Sequence, residues 1–578
     1  MSVVNQVLGT NSTILEVPFL NLMANLQERS GRVNIRVGGN SQDTAVLVNS
    51  TPDGKMLEKN VTGASNPTQT PPLIYTPDLL YMMANISALV NVHWFVGIPF
   101  LINDTATRLA ITRQAYEILG DRLMGIQIGN EPDLYQAHGH YTSYGPFDYF
   151  GDFGVYVEDM NDANLPGTNL LVGPSIAYAD WTTEDVWNTG FVSAYNENLA
   201  FLTVENYPTD NCALRFNTGG AIQDPQTIFP DFLSHTSQYS GNSIIQKFLN
   251  STQFAITNEK RLLMMETNTG SCGGFAGISD AFGAALWGID YAFQMAYNNF
   301  AGGMIHVGGQ NEYYNPFTPP PTNQSTFHQW TIGPTYYSAL VAAESIGPSN
   351  DTQVLDLGAN NGNVYTPAYA FVGIINYVTD PTGASDLQVQ IAIGGSGIGQ
   401  PNQSPASVKV KYTFFFDPPS LISSADKGQR YLLADSVSQK ANFTWAVQTF
   451  GDDFGSDGRP MGNVNITTVD CDSTTNLCTI AVPAPSYALV FLTDGTLNKP
   501  GTAVTTTFAT TVQTRTRNTV TVNQAALATS NGGYGKNLGS TSPGSIEGAA
   551  MSRMRTPGVT SVLALTTGLV AVQKMMRW

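Results

Sequence analysis

Short apolar runs alternating with helical stretches occupy the chain from its start to Ile346, and few folds accommodate that order. The runs are Arg32 to Val37, Val92 to Ile98, Leu123 to Ile128, Leu170 to Gly173, Leu202 to Asn206, Leu262 to Met265 and Met304 to Val307. Helices are expected over Ile14 to Glu28, from Pro77 through Leu89, and from about Ala106 to Leu119, where Gly120 ends the run. Further helices are expected over Asp148 to Asn161, Phe232 to Leu249, Ala281 to Asn298 and Thr335 to Ile346. Repeated strand and helix predicts a parallel (β/α)8 TIM barrel over 1–347. Met1 to Thr10 has neither the basic start nor the apolar length of a signal peptide. It reads as a remnant of the first strand, so an incomplete N-terminus is expected.

Two of these runs end on a glutamate. Leu123 to Ile128 is followed by Gly129, which lets the backbone leave the strand, and then by Asn130, Glu131 and Pro132. A residue before proline is disfavoured in the α region, so Glu131 is expected to be extended at a strand's C-terminal mouth. An ordinary strand exit would look the same locally, but Leu262 to Met265 repeats the pattern and ends on Glu266. Glycoside hydrolysis uses such a pair, one carboxylic acid to protonate the leaving oxygen and one carboxylate to attack, about 5 Å apart when configuration is retained. The chain between them has room for roughly three strand-helix units of ~30 residues each. Both would then lie on the face of the barrel where active sites of that fold are built.

With Arg36 to Asp43, RVGGNSQD, as a third motif, the chain resembles glycoside hydrolase family 79, the retaining β-glucuronidase and heparanase family, over residues 1 to about 495. The resemblance implies Glu131 as general acid and base, Glu266 as nucleophile, Asn130 on the sugar 2-hydroxyl and Arg36 as a donor to Glu266. A structural ion pair is the other reading of Arg36. For the uronate, the resemblance points to backbone amides at Gly273 and Gly274 in GSCGGFAG and to Tyr313 or Tyr314 in GGQNEYYNPF, against a plain glycine turn and packed aromatics. Asn40, Ser41 and Tyr207 are further sugar-contact candidates, with turn formers and a rim aromatic as the alternatives. His306 reads as a satisfied barrel histidine. No cofactor or metal cluster is expected.

The implied activity is exo-hydrolysis of terminal glucuronate or 4-O-methylglucuronate from glycans. The rivals are an endo-acting, heparanase-like glucuronidase, a clan relative with neutral specificity, and an inactive anchored glycan-binding surface protein. A net charge of −18 and only 26 Lys and Arg argue against a nucleic-acid partner, which needs clustered cations. The same charge opposes long-range attraction of an anionic sugar, so local donors must outweigh the global field. Cys212, Cys272, Cys471 and Cys478 form an even set, the last two close enough to close a small loop. With sequons spread from Asn11 to Asn465, they predict a secreted, disulfide-bonded glycoprotein.

Beyond Ile346 the period changes. Leu387, Val389, Ile391 and Ile393 alternate with other residues, as do Val408, Val410, Tyr412 and Phe414, which predicts an antiparallel β-sandwich over 348–497. Residues 498–556, rich in Thr, Ser and Gly, read as a disordered stalk. In 557–578 the apolar run Val559 to Val572 is shorter than the ~17 to 25 residues of a spanning helix. Gly548, Ala549 and Ala550 ahead of it resemble a lipid-anchor signal, from which the ending Lys574 to Trp578 departs. Membrane attachment through this tail is one expectation, and a loosely structured tail is the other.

Overall fold

A computed structural model of the chain describes residues 1–59, 72–102, 104–217, 220–309, 311–319, 330–349, 352–370, 372–380, 382–395, 400–415, 436–450, 457–492 and 507–508. Seven parallel strands form one curved sheet: β1 (Val33–Val37), β2 (Val92–Ile98), β3 (Leu123–Ile128), β4 (Leu171–Ile176), β5 (Leu199–Glu205), β6 (Leu262–Thr267) and β7 (Phe300–Ile305). Each pairs with its neighbours in chain order, from β1 to β7, with helices between them. These are places two to eight of the expected barrel, nearly closed. One set of strand side chains, Phe95, Val172, Phe201, Leu263 and Met265, packs together inside the barrel. The alternate set, Trp94, Val96, Ile126, Leu202, Val204 and Met264 among them, joins the larger core under the helices. Burial on both faces explains why these strands read as continuous apolar runs. It also gives the strand ends a dense floor.

Two helices differ from expectation. The first runs from Val17 to Ser30, with Pro18 in its opening turn, because Ile14–Leu15 pair instead with Gly9–Asn11. Asn11 Oδ1 accepts the N–H groups of Thr13 and Ile14, a turn that competes with helix. The continuous helix expected over Phe232 to Leu249 is broken into a 3₁₀ turn at Phe229–Phe232 and helices at Gly241–Gln246 and Leu249–Thr257. Serines break it: Ser240 Oγ caps the N–H of Ser243, and Ser240 and Ser243 both donate to Ser237 O.

The C-terminal strands are antiparallel. Ala368–Tyr369 (β8), Gly373–Asn376 (β9), Leu387–Ile391 (β10), Ser407–Phe415 (β11), Phe443–Trp445 (β12), Thr467–Asp470 (β13), Cys478–Val482 (β14) and Ser486–Phe491 (β15) build a sheet β8-β9-β15-β11-β12, with β13 on β11 and a separate β10-β14 pair. The register Leu387↔Val482, Val389↔Ile480, Ile391↔Cys478 puts the alternating apolar residues opposite one another. They share a core with Val408, Val410, Ala488 and Val490. Disulfides join Cys471 to Cys478 and Cys212 to Cys272. Apart from Thr507 and Phe508, the expected stalk and tail lie outside the described residues, and among the described residues no helix is long and apolar enough to cross a membrane.

Charged centres tie the sheets to the barrel. Glu344 accepts Arg29 Nε at 3.0 Å and Trp445 Nε1 at 2.7 Å and pairs with Lys411. His235 stands 3.0 Å from Asp290 and 2.8 Å from Asp356, with Tyr377 also donating to Asp290. Burial would lower the His235 pKa, but hydrogen bonds to Asp290 and Asp356 raise it to about 10. Because that value exceeds the unfolded histidine's 6.5, the stabilisation is complete below about pH 6.5 and fades as pH rises toward 10. His235→Ala leaves two carboxylates facing each other and should cost roughly 3 kcal/mol. Thermal unfolding midpoints should show that deficit at pH 5 and a smaller one at pH 9; a loss independent of pH would contradict the ion-pair account.

Candidate active site

The loops after the strands surround a cavity of about 1830 Å³ that reaches Arg36, Asn40, Ser41, Asn130, Glu131, Tyr207, Glu266, Gly273 and Tyr314. Glu266 lies near the end of β6 and is the centre of a converging set of donors. Arg36 Nη1 donates to its Oε2 at 2.7 Å, Tyr207 Oη donates to its Oε1 at 2.8 Å, and His306 Nδ1 stands 2.6 Å from the same oxygen. Burial would push this carboxyl up, yet His306, Arg36 and Tyr207 together hold it well below the usual carboxylate range.

Glu131 has the opposite environment. It follows β3 through Gly129, whose φ of 77° provides the sharp exit. Glu131 itself is not extended as expected but left-handed, at φ 47° and ψ 54°. Pro132 excludes only the right-handed α region, and the left-handed alternative lets Glu131 N–H donate to Ser175 O at 3.0 Å while a 3₁₀ turn opens at Pro132. Asp133 clamps that turn, accepting Ala177 and Ala179 N–H at 2.9 Å each. Burial, reinforced by the negative charges of Glu266 and Asp133, pushes the Glu131 carboxyl well above its ordinary value. The two carboxyls are thus pushed in opposite directions by their surroundings.

Arg36 connects them. Besides Glu266 it donates to Asn130 Oδ1 and to Gln127 Oε1, and it stands 2.9 Å from Glu205. Asn130 turns its amide nitrogen to Asn40 Oδ1 at 2.8 Å and lies 3.5 Å from Glu131 Oε2. Both readings of Arg36 therefore meet in one side chain, which pairs with a structural carboxylate below and the Glu266 carboxylate above. Ser41, buried, accepts the N–H of Ser2 through its hydroxyl. Tyr207 lines the cavity with its hydroxyl bound to Glu266. His306 is satisfied as expected, but its partners are Glu266 and Tyr207, the latter at 3.0 Å. Gly273 and Gly274 both have positive φ; Gly273 lines the cavity, while Gly274 O accepts Asn211 Nδ2. Tyr314 lines the cavity too, whereas Tyr313 N–H donates to Gly273 O.

Sequence reading missed Glu205, Arg215, Glu312 and the contact His306 makes. Glu205 had a signal, since Leu202 to Glu205 is a third apolar run ending on a glutamate. Glu312 sits inside the GGQNEYYNPF motif. Arg215 had none, being placed by a short helix, Cys212–Phe216, tethered to Cys272. Among the described residues no cluster of three or more His, Cys, Asp or Glu is placed to hold a metal ion.

Residues 364–489 match the glycosyl hydrolase family 79 C-terminal β domain. A β-glucuronidase of Aspergillus niger is 25% identical over 499 residues, covering 82% of this chain and 85% of the relative. A β-glucuronidase of Neurospora crassa is 25% identical over 353 residues, covering 57% and 59%. The crystal structure of a 4-O-α-L-rhamnosyl-β-D-glucuronidase from Fusarium oxysporum superposes with a TM-score of 0.60 at 18% identity, covering 82% of this chain and 92% of that one.

Proposed function

We propose, for a chain that belongs to glycoside hydrolase family 79, retaining exo-hydrolysis of terminal β-linked glucuronate or 4-O-methylglucuronate from glycans and glycoconjugates. The observation that carries this reading is the pair of oppositely tuned carboxyls, Glu131 and Glu266, linked through Asn130 and Arg36. In the first step Glu131 gives its proton to the glycosidic oxygen while Glu266 attacks the anomeric carbon, so the bond to the leaving alcohol breaks as the glycosyl-enzyme ester forms. Glu131, now ionised, takes a proton from water, which attacks the same carbon and releases Glu266 with β configuration restored. Arg36, donating to Asn130 Oδ1, fixes which end of that amide is the donor, and Asn130 is then set to hydrogen-bond the 2-hydroxyl.

The two disulfides and the glucuronidase relatives support work outside the cell, where thiols stay oxidised. A panel of aryl β-glycosides tests the substrate class. The glucuronide should be turned over with kcat/KM well above those of the glucoside and xyloside. A glucoside or xyloside preferred over the glucuronide would replace this reading with a neutral specificity.

A further inference from the structure

The loops after β5, β6 and β7 meet beside Glu266 around one ion pair. Arg215 Nη2 donates to Glu312 Oε1 at 2.7 Å and Nη1 to Asn311 O at 3.1 Å, with both side chains mostly buried. The pair lies on bare backbone: a Cβ on Gly273 would overlap the Glu312 carboxylate and stand 3.3 Å from Arg215 Nη1, and φ of +90° there already favours glycine. Three links fix the arrangement. The Cys212–Cys272 disulfide ties the helix carrying Arg215 to the Gly273 loop, Ser271 N–H donates to Thr209 O at 2.9 Å, and Tyr313 N–H donates to Gly273 O at 2.8 Å.

Its position relative to the chemistry follows from Tyr314. The Tyr314 ring is 5.5 Å from the His306 ring, His306 is 2.6 Å from Glu266, and a Cβ on Gly308 would lie between Tyr314 Oη at 3.1 Å and the Glu312 side chain. Tyr314 and Glu312 thus stand on the His306 side of Glu266. Glu312 places its carboxylate there, over Gly273, and that carboxylate is poorly satisfied. Its Oε2 is buried without a hydrogen-bond partner among the described residues, a costly arrangement to leave unrelieved. Arg36, the cation nearest Glu266, is already committed to Glu205, Glu266 and Asn130. Lys247, also lining the cavity, is held by Asn206 Oδ1 at 3.1 Å.

We propose that Arg215 is the specificity-determining cation for the uronate carboxylate and that Glu312 is its internal stand-in, displaced from the guanidinium when an acidic sugar binds, an assignment that rests on the glucuronidase reading above. The exchange keeps charge balanced at Arg215, one carboxylate replacing another on a guanidinium, the group suited to binding carboxylates. It also supplies the local cation that a chain of net charge −18 needs in order to hold an anion.

The test breaks the pair from each side and measures kcat and KM for p-nitrophenyl β-glucuronide and β-glucoside. Arg215→Gln should raise KM for the glucuronide about tenfold or more, the size of a lost charge-assisted contact, and lower the glucuronide-to-glucoside ratio of kcat/KM. Glu312→Gln removes the competitor and should do the reverse, lowering KM for the glucuronide severalfold and raising the ratio. A merely structural ion pair would move the ratio the same way, or not at all, from either side, and that result overturns the proposal. If Arg215→Gln does not fold, Glu312→Gln decides alone: an unchanged or raised KM for the glucuronide overturns it. A wild-type enzyme that prefers the glucoside would instead remove the glucuronidase reading itself.

Discussion

Glu266→Ala should lower turnover of an aryl β-glucuronide by roughly five orders of magnitude or more, the loss typical of removing a covalent nucleophile. The substitution should leave the protein folded, because Arg36 keeps Glu205, Gln127 and Asn130 as partners, and Tyr207 and His306 keep each other. It also opens a space beneath the anomeric carbon. Azide entering that space should attack from the face opposite the leaving group, restore part of the turnover on an activated substrate and yield the α-glucuronyl azide. Alanine that retains ordinary turnover would remove Glu266 as the nucleophile. Azide rescue giving a β-linked product would place the vacated nucleophile on the wrong face.

Glu131→Gln should separate substrates by leaving group. Proton donation is worth about 10²- to 10⁴-fold where the departing oxygen is basic, and little where a nitrophenolate leaves unaided. The kcat/KM for alkyl or disaccharide glucuronides should therefore fall by roughly three orders of magnitude, and that for an activated aryl glucuronide by far less. A pH dependence accompanies this. Burial and the charges of Glu266 and Asp133 raise the Glu131 carboxyl well above its ordinary value, so the donating form persists to higher pH than an ordinary carboxyl's and disappears as pH rises through that raised value. Wild-type kcat/KM should carry the resulting alkaline limb and the glutamine variant should lack it. Equal losses on both substrate types, or an unchanged alkaline limb, would assign the proton donor elsewhere.

What could be read from the chain alone follows from which interactions are local. The strands Val92–Ile98 and Leu123–Ile128 are buried on both faces, so their composition marks them without help from the rest of the fold. Glu131 and Glu266 stand at the ends of such runs, where a polar residue breaks an apolar pattern. Local rules failed where two local preferences competed. At Asn11 and around Ser240, side chains captured backbone groups that a helix would have used. At Glu131 the proline rule excluded one region correctly but did not choose between the two left, and Ser175 O on the neighbouring strand β4 accepts the Glu131 N–H in the one adopted. The contacts of Tyr207 and His306 with Glu266, and the seating of Arg215 on Gly273, join segments far apart in sequence. No window of the chain contains them. The Cys212–Cys272 bridge is one of the three links that hold Arg215 in its place, and cysteine count alone leaves that pairing open.

Asp133 illustrates how the two scales combine. It sits in the same motif as Glu131 and binds two amides of the loop after β4, with burial lifting its own carboxyl to about 6. The left-handed turn at Glu131 is held from both sides, by Ser175 O at its amide and by Asp133 one residue past the proline. The Glu131 carboxyl is thereby presented by a left-handed backbone that a packed surround keeps in place.

Trapping with a 2-deoxy-2-fluoro-β-glucuronyl fluoride, followed by mass spectrometry of the peptic peptides, tests the central claim most directly. The fluorine slows both steps and the fluoride leaving group speeds the first, so the glycosyl-enzyme accumulates. A single fluoroglucuronyl adduct on Glu266, in the peptide containing LLMMETNTG, is the expected result. An adduct on Glu131 or Glu205, or inactivation-free turnover with no covalent species at all, would contradict the assignment of Glu266 as the attacking carboxylate.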